Sequence, residues 1–63
     1  MAITLKAARV NAGLKQADVA KAIGKSKNTV ASYEAYKTKP TIETSKKLAE
    51  LYSMNVNDII FFA

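Results

Sequence analysis

Four side chains, Lys27, Asn28, Ala31 and Ser32, recur at a spacing that places them on one face of a helix. That face has no acid, and apart from Lys27 its side chains are short. The chemistry open to it is hydrogen bonding to a flat, polar edge. An asparagine amide bonds adenine at two atoms, a lysine ammonium reaches O6 and N7 of guanine, a serine hydroxyl serves either, and an alanine methyl can touch the methyl of thymine. A helix with such a face fits a major groove about 12 Å wide. The competing reading of the same residues is a solvated helix face.

The rest of the composition removes other kinds of chemistry. The chain has no cysteine and no histidine, so it has no disulfide, no thiolate metal site and no imidazole base. No clustered carboxylate pair stands in for them, so an enzyme is not expected, and neither is a metal, a cofactor or a small-molecule ligand. Ten Lys and Arg face five Asp and Glu, a formal net charge of +5 on 63 residues. So dense a positive field favours a polyanion as partner, the alternative being charge that only keeps the protein in solution.

Length points to one domain, residues 1–63, with a marginal core, because a chain this small buries only about 60% of its unfolded surface. Without staples, tight helix packing and self-association are the stabilisers left. No signal peptide is apparent and no run approaches the roughly 18 apolar residues of a membrane span, so the cytoplasm is the expected location.

The elements that must carry the polar face are helical throughout, since Val and Ile never alternate with polar residues long enough for a strand. Thr4 caps a first helix over about residues 5–12, with Leu5, Ala8 and Ala12 inward and Gly13 at its end. A second helix spans 16–23, poorly capped by Lys15 and helped by Asp18 near its positive end. Ser26 caps a third helix over 27–35. The basic loop Lys37, Thr38, Lys39 runs to Pro40. Thr41 caps a fourth helix over 42–52, with Ser45, Leu48, Ala49 and Tyr52 inward. Asn55, in a capping-box-like relation to Asp58, starts a fifth over 56–60.

Residues 16–35 form a unit. Ala20, four residues after Gln16, is small where two helices cross, Gly24 permits the positive φ of a sharp turn, and Val30 anchors the second helix, with Val19, Ile23 and Tyr33 completing the buried set. This is helix-turn-helix spacing.

Those residues, within the strings LKAARVNAGLKQADVAKAIGKSKNTVASYE, KTKP and LAELYSMNVNDII, resemble the repressor and Cro class of phage-type helix-turn-helix regulators. The resemblance covers about residues 5–60. It implies an all-α, five-helix, lambda-repressor-like DNA-binding fold whose second and third helices read DNA. By the same resemblance Lys27, Asn28 and Ser32, joined by Ala31, meet bases. Gln16, Lys37, Thr38 and Lys39, together with Ser26 and Thr29, meet phosphate. Arg9 and Glu34 form a partly buried ion pair. Lys15 replaces the family's usual Ser or Thr cap, while Tyr36 and Ser53 replace glycines after the third and fourth helices. Tyr36 is open between a core lid, a phosphate contact and loop filler. A full-length repressor of this class would carry a further effector or oligomerisation domain, and these 63 residues are expected to hold none, so the chain resembles a stand-alone Cro-like protein or an excised DNA-binding domain. Lys6 and Lys21 lie outside the motif and are left to solvent.

The apolar end, Ile59 to Phe62, is split. Ile59 is expected in the core. Ile60, Phe61 and Phe62 are expected at a homodimer interface, because so apolar a tail is poorly suited to water. The alternative folds Phe61 and Phe62 back onto the first helix. A two-fold dimer would match half-sites about one DNA turn apart on a palindromic operator. The rival function is a protein-binding antitoxin or adaptor module that uses the same tail.

Overall fold

The computed structural model describes residues 1–62, and its elements follow the capping residues closely. A two-residue strand β1 (Ile3–Thr4) leads into α1 (Leu5–Asn11), then α2 (Gln16–Ile23), α3 (Lys27–Glu34) and α4 (Ile42–Leu51); a single 3₁₀ turn (Val56–Asp58) precedes β2 (Ile59–Ile60). Thr4, Ser26 and Thr41 each accept a hydrogen bond from the backbone amide three residues on, at 3.1 Å. That satisfies one of the free donors at the start of α1, α3 and α4. Lys15 has no acceptor to offer α2. Asp18 replaces half of the missing cap, its carboxylate accepting from the Lys15 amide at 2.9 Å.

Gly24 closes α2 in the left-handed region, at φ 71°, and lets Lys25 donate to Ala20 at 2.9 Å. The same bend occurs after α3 and α4 without glycine. Tyr36 has φ 60° and Ser53 φ 54°. Lys37 donates to the Ser32 carbonyl at 3.0 Å and Met54 to that of Ala49 at 2.9 Å, so both turns keep their terminal hydrogen bonds. A side chain in that region costs roughly 1–2 kcal/mol.

The four α-helices enclose one core of Leu5, Ala8, Val19, Ala20, Ile23, Val30, Tyr33, Leu48, Ala49, Tyr52, Ile59 and Phe61. Leu14 and Met54 pack against it. Two inward assignments need correcting. Ala12 is exposed, because α1 stops at Asn11 and Ala12 belongs to the turn. On α4 it is Thr44 that is buried, its hydroxyl bonded to that of Thr41, while Ser45 is half-buried.

The larger correction is at the end of the chain, where the fifth helix is absent. After one 3₁₀ turn, Ile59 and Ile60 extend and pair in parallel with Ile3 and Thr4. A helix would bring Ile59 and Phe62, three apart, to one side. Instead burial alternates: Ile59 and Phe61 are in the core, Ile60 is half-buried and Phe62 is 64% exposed. That period of two is the strand's, and two adjacent β-branched residues favour it. Parallel strands need a long crossover, and here the whole helical body provides it.

Candidate nucleic-acid interface

The third helix presents its acid-free face outward. Lys27 and Asn28 are exposed, Ala31 and Ser32 half-buried, while Val30 and Tyr33 on the opposite face enter the core. None of Lys27, Asn28 and Ser32 has a side-chain hydrogen bond or ion pair among the described residues, so their polar groups are free to bond elsewhere. Ser26 and Thr29 are differently occupied. Their hydroxyls bond each other at 2.9 Å, and that of Ser26 also caps the helix.

Beneath this face lies a hydrogen-bonded cluster that ties three elements together. Arg9 on α1 donates through Nε to Oε2 of Glu34 at 2.6 Å and through Nη2 to Oε1 at 3.3 Å. Its Nη1 donates to the Leu14 carbonyl at 2.8 Å, pinning the loop before α2. Gln16, the first residue of α2, donates from Nε2 to Oε1 of Glu34 at 3.0 Å. The Arg9 and Glu34 side chains are 11% and 5% exposed. A carboxylate so enclosed is stable only while its donors remain, and here one arginine and one amide supply them. Sequence spacing gives no sign of the Gln16–Glu34 bond, which joins residues on different helices.

The Tyr52 hydroxyl is buried with no hydrogen-bond partner among the described residues. Its own burial, then the negative charge of Glu34, push its pKa up from 10.0 to about 12, against the opposing pull of Arg9.

Lys6, left to solvent on its sequence position, borders a shallow depression with Gln16, Ala31, Glu34 and Ala35. It therefore stands beside the face of α3. The available signal was its position three residues before Arg9, on the same side of α1. Lys37, Thr38 and Lys39 are exposed in the loop after α3, and the Lys39 ammonium lies 5.2 Å from the centre of the Phe62 ring, a cation–π contact.

The tail divides. Of Ile60, Phe61 and Phe62, assigned from sequence to a dimer interface, Phe61 is only 7% exposed and belongs to the core of one chain. Ile60 and Phe62 instead line an apolar groove with Pro40, Ile42 and Val56. Ile42, at 79%, is among the most exposed large apolar residues. Its place at the start of a helix gives no hint in sequence that it faces outward. Among the described residues no cluster of His, Cys, Asp and Glu could hold a metal ion, and no helix is long and apolar enough to cross a membrane.

Comparison with known proteins bears on this geometry. The family described as helix-turn-helix matches residues 5–59. The chain is similar to the cryptic phage CTXphi transcriptional repressor RstR of Vibrio cholerae, 38% identical over 52 residues. That match takes in 82% of this chain and 47% of the repressor, so the chain spans about half the length of that relative. No solved structure matches the chain.

Proposed function

The chain belongs to the helix-turn-helix family, and on that premise we propose that it is a transcriptional repressor that binds double-stranded DNA sequence-specifically, two copies acting on a short, roughly palindromic operator. The observation that carries the reading is the outer face of α3, where Lys27, Asn28 and Ser32 have no side-chain bonds among the described residues while the helix behind them is fixed by Val30, Tyr33 and Glu34. In this reading Lys27, Asn28, Ala31 and Ser32 read bases in the major groove. Gln16, Lys37, Thr38 and Lys39 set register on phosphates, with Ser26, Thr29 and the first amides of α3. The net charge of +5 favours the polyanion. Repression, the activity in the name of the relative, follows by occlusion of polymerase. The protein would act in the cytoplasm, on DNA, with no catalytic step.

The dimer would use the apolar groove formed by Ile42, Val56, Ile60 and Phe62. Phe61 supports that surface from inside the chain.

Selection of bound sequences from a random duplex pool at near-physiological salt, with sedimentation of the free protein, tests the reading. A two-fold symmetric consensus and a dimer are expected. No enrichment, together with a different protein needed one-to-one for solubility, would establish the second reading instead, an antitoxin- or adaptor-like binding module. In that case the exposed Ile42 and Phe62 would hold the different protein instead of a second copy. Within the DNA-binding reading, Asn28→Ala should cost about 1–3 kcal/mol on the selected site and little on random DNA. Equal weakening on both would remove Asn28 from base reading.

A further inference from the structure

Tyr36 occupies the turn between the reading helix and the basic loop, with its backbone left-handed at φ 60°. Its amide donates to the Tyr33 carbonyl at 3.1 Å, and the next amide, that of Lys37, donates to Ser32 at 3.0 Å. The backbone at the head of the loop is thus fixed to α3. The side chain, half-buried, is fixed at its far end as well: the hydroxyl donates to the Ile60 carbonyl at 2.9 Å and accepts from the Leu5 amide at 3.4 Å. Leu5 opens α1, so that amide has no partner within its helix. One phenol therefore joins three segments: the exit of α3, the start of α1 and the last strand. A second link runs in parallel, since Lys39, two residues before the loop gives way to α4 at Thr41, lies over Phe62 just beyond that strand. Glycine would give the turn without strain but would not supply the phenol's link.

We propose that Tyr36 is a positioning residue for DNA binding: by tying the paired chain ends to the turn after α3, it holds Lys37 and Lys39 where they meet phosphate. This rests on the DNA-binding reading. Tyr36 need not touch DNA. Its hydroxyl restricts the loop, so that the lysines lose less freedom on binding.

The test compares wild type, Tyr36→Phe and the double variant Lys37→Ala/Lys39→Ala, titrating each against a random duplex over a range of salt. All are measured at a temperature where circular dichroism shows them folded. The double variant should lower the slope of log K against log salt by about 0.9 for each phosphate it no longer neutralises. Tyr36→Phe retains the ring and both lysines, yet should lower the slope in the same direction and weaken binding about 3- to 10-fold, the range of one net hydrogen bond. Tyr36→Gly, which removes the backbone strain along with the phenol, should behave the same way and guards against misfolding of the first variant. A structural role alone would lower the melting temperature of Tyr36→Phe and leave the slope at the wild-type value, which would overturn the proposal. It would also be overturned if the double variant kept the wild-type slope. Failure of the wild type to bind any duplex would strike the DNA-binding reading instead.

Discussion

The α2–α3 unit and the seam where the chain ends pair are held by opposite means. In the unit, each boundary is set by a neighbour in sequence: Ser26 three residues before the amide it caps, Gly24 at the turn, Asp18 three residues after the amide it receives. In the seam, Ile3 pairs with Ile59, and Tyr36 reaches Ile60 and Leu5. In so small a protein, then, the outer face of α3 is set by short-range rules. Its orientation relative to the basic loop depends on contacts across most of the chain.

Removing Phe61 opens the seam most directly. Phe61→Ala should cost about 3–5 kcal/mol in denaturant unfolding. Total stability for this length is of order 3–9 kcal/mol, so the variant should lose a third or more of it and melt well below wild type. Where it remains folded in the cold, it should still prefer the selected DNA site; a lost preference would show that the seam governs base reading too.

Glu34→Ala strikes the helical unit instead. It strands the Arg9 guanidinium, 11% exposed, and should cost about 3 kcal/mol. It also frees Gln16, so unlike Phe61→Ala it should blur sequence preference in the folded protein. Replacing Arg9 and Glu34 together by Met and Leu should recover most of the stability but not the preference. A double variant as unstable as the single one would show that the cost is poorer packing and not a stranded charge.

Tyr52→Phe probes the layer beneath the ion pair. The Tyr52 hydroxyl is harder to ionise in the folded chain, at about 12, than at its ordinary 10.0. The resulting stability is therefore fully present below pH 10 and drains away between about 10 and 12. The loss is about 2–3 kcal/mol. Tyr52→Phe should lack that part of the alkaline decline, and at neutral pH should be at least as stable as wild type, since the hydroxyl it removes has no hydrogen-bond partner among the described residues. Parallel decline of the two proteins above pH 10 would show that Tyr52 ionises freely.

The smallest effect separates the two left-handed turns. Ser53 has the same backbone strain as Tyr36 and, among the described residues, no side-chain hydrogen bond to set against it, so Ser53→Gly should stabilise by about 0.5–1 kcal/mol in thermal unfolding. A destabilised Ser53→Gly would mean that the serine makes a contribution beyond its backbone.

The same division decides how much of the fold is legible in the sequence. Boundaries of α2 and α3 come from caps and a glycine at fixed offsets, and the burial of Val19, Ala20, Ile23, Val30 and Tyr33 from helical periodicity. The tail could not be read that way. Asn55, with Asp58 three residues on, carries a helix-start signal, but the helix lasts a single turn because Ile59 has a strand partner 56 positions earlier, at Ile3. No local window contains that partner. The burial of Phe61, the exposure of Ile42 and the bond from Gln16 to Glu34 were hidden for the same reason, since each depends on which distant element lies opposite.

The pairing of Ile3 with Ile59 also has a kinetic consequence. Closing a loop of nearly the whole chain carries the largest entropy cost of any contact in the fold, whereas α2 and α3 meet across a few residues. The helical unit should therefore form on the way to the transition state and the ladder after it. Substitutions at Ile3 or Ile60 should accelerate unfolding and leave the folding rate nearly unchanged, and those at Val30 should slow folding, as a chevron plot would resolve. The ends of the chain then act as a clasp on a body already assembled, and set how long the folded state lasts.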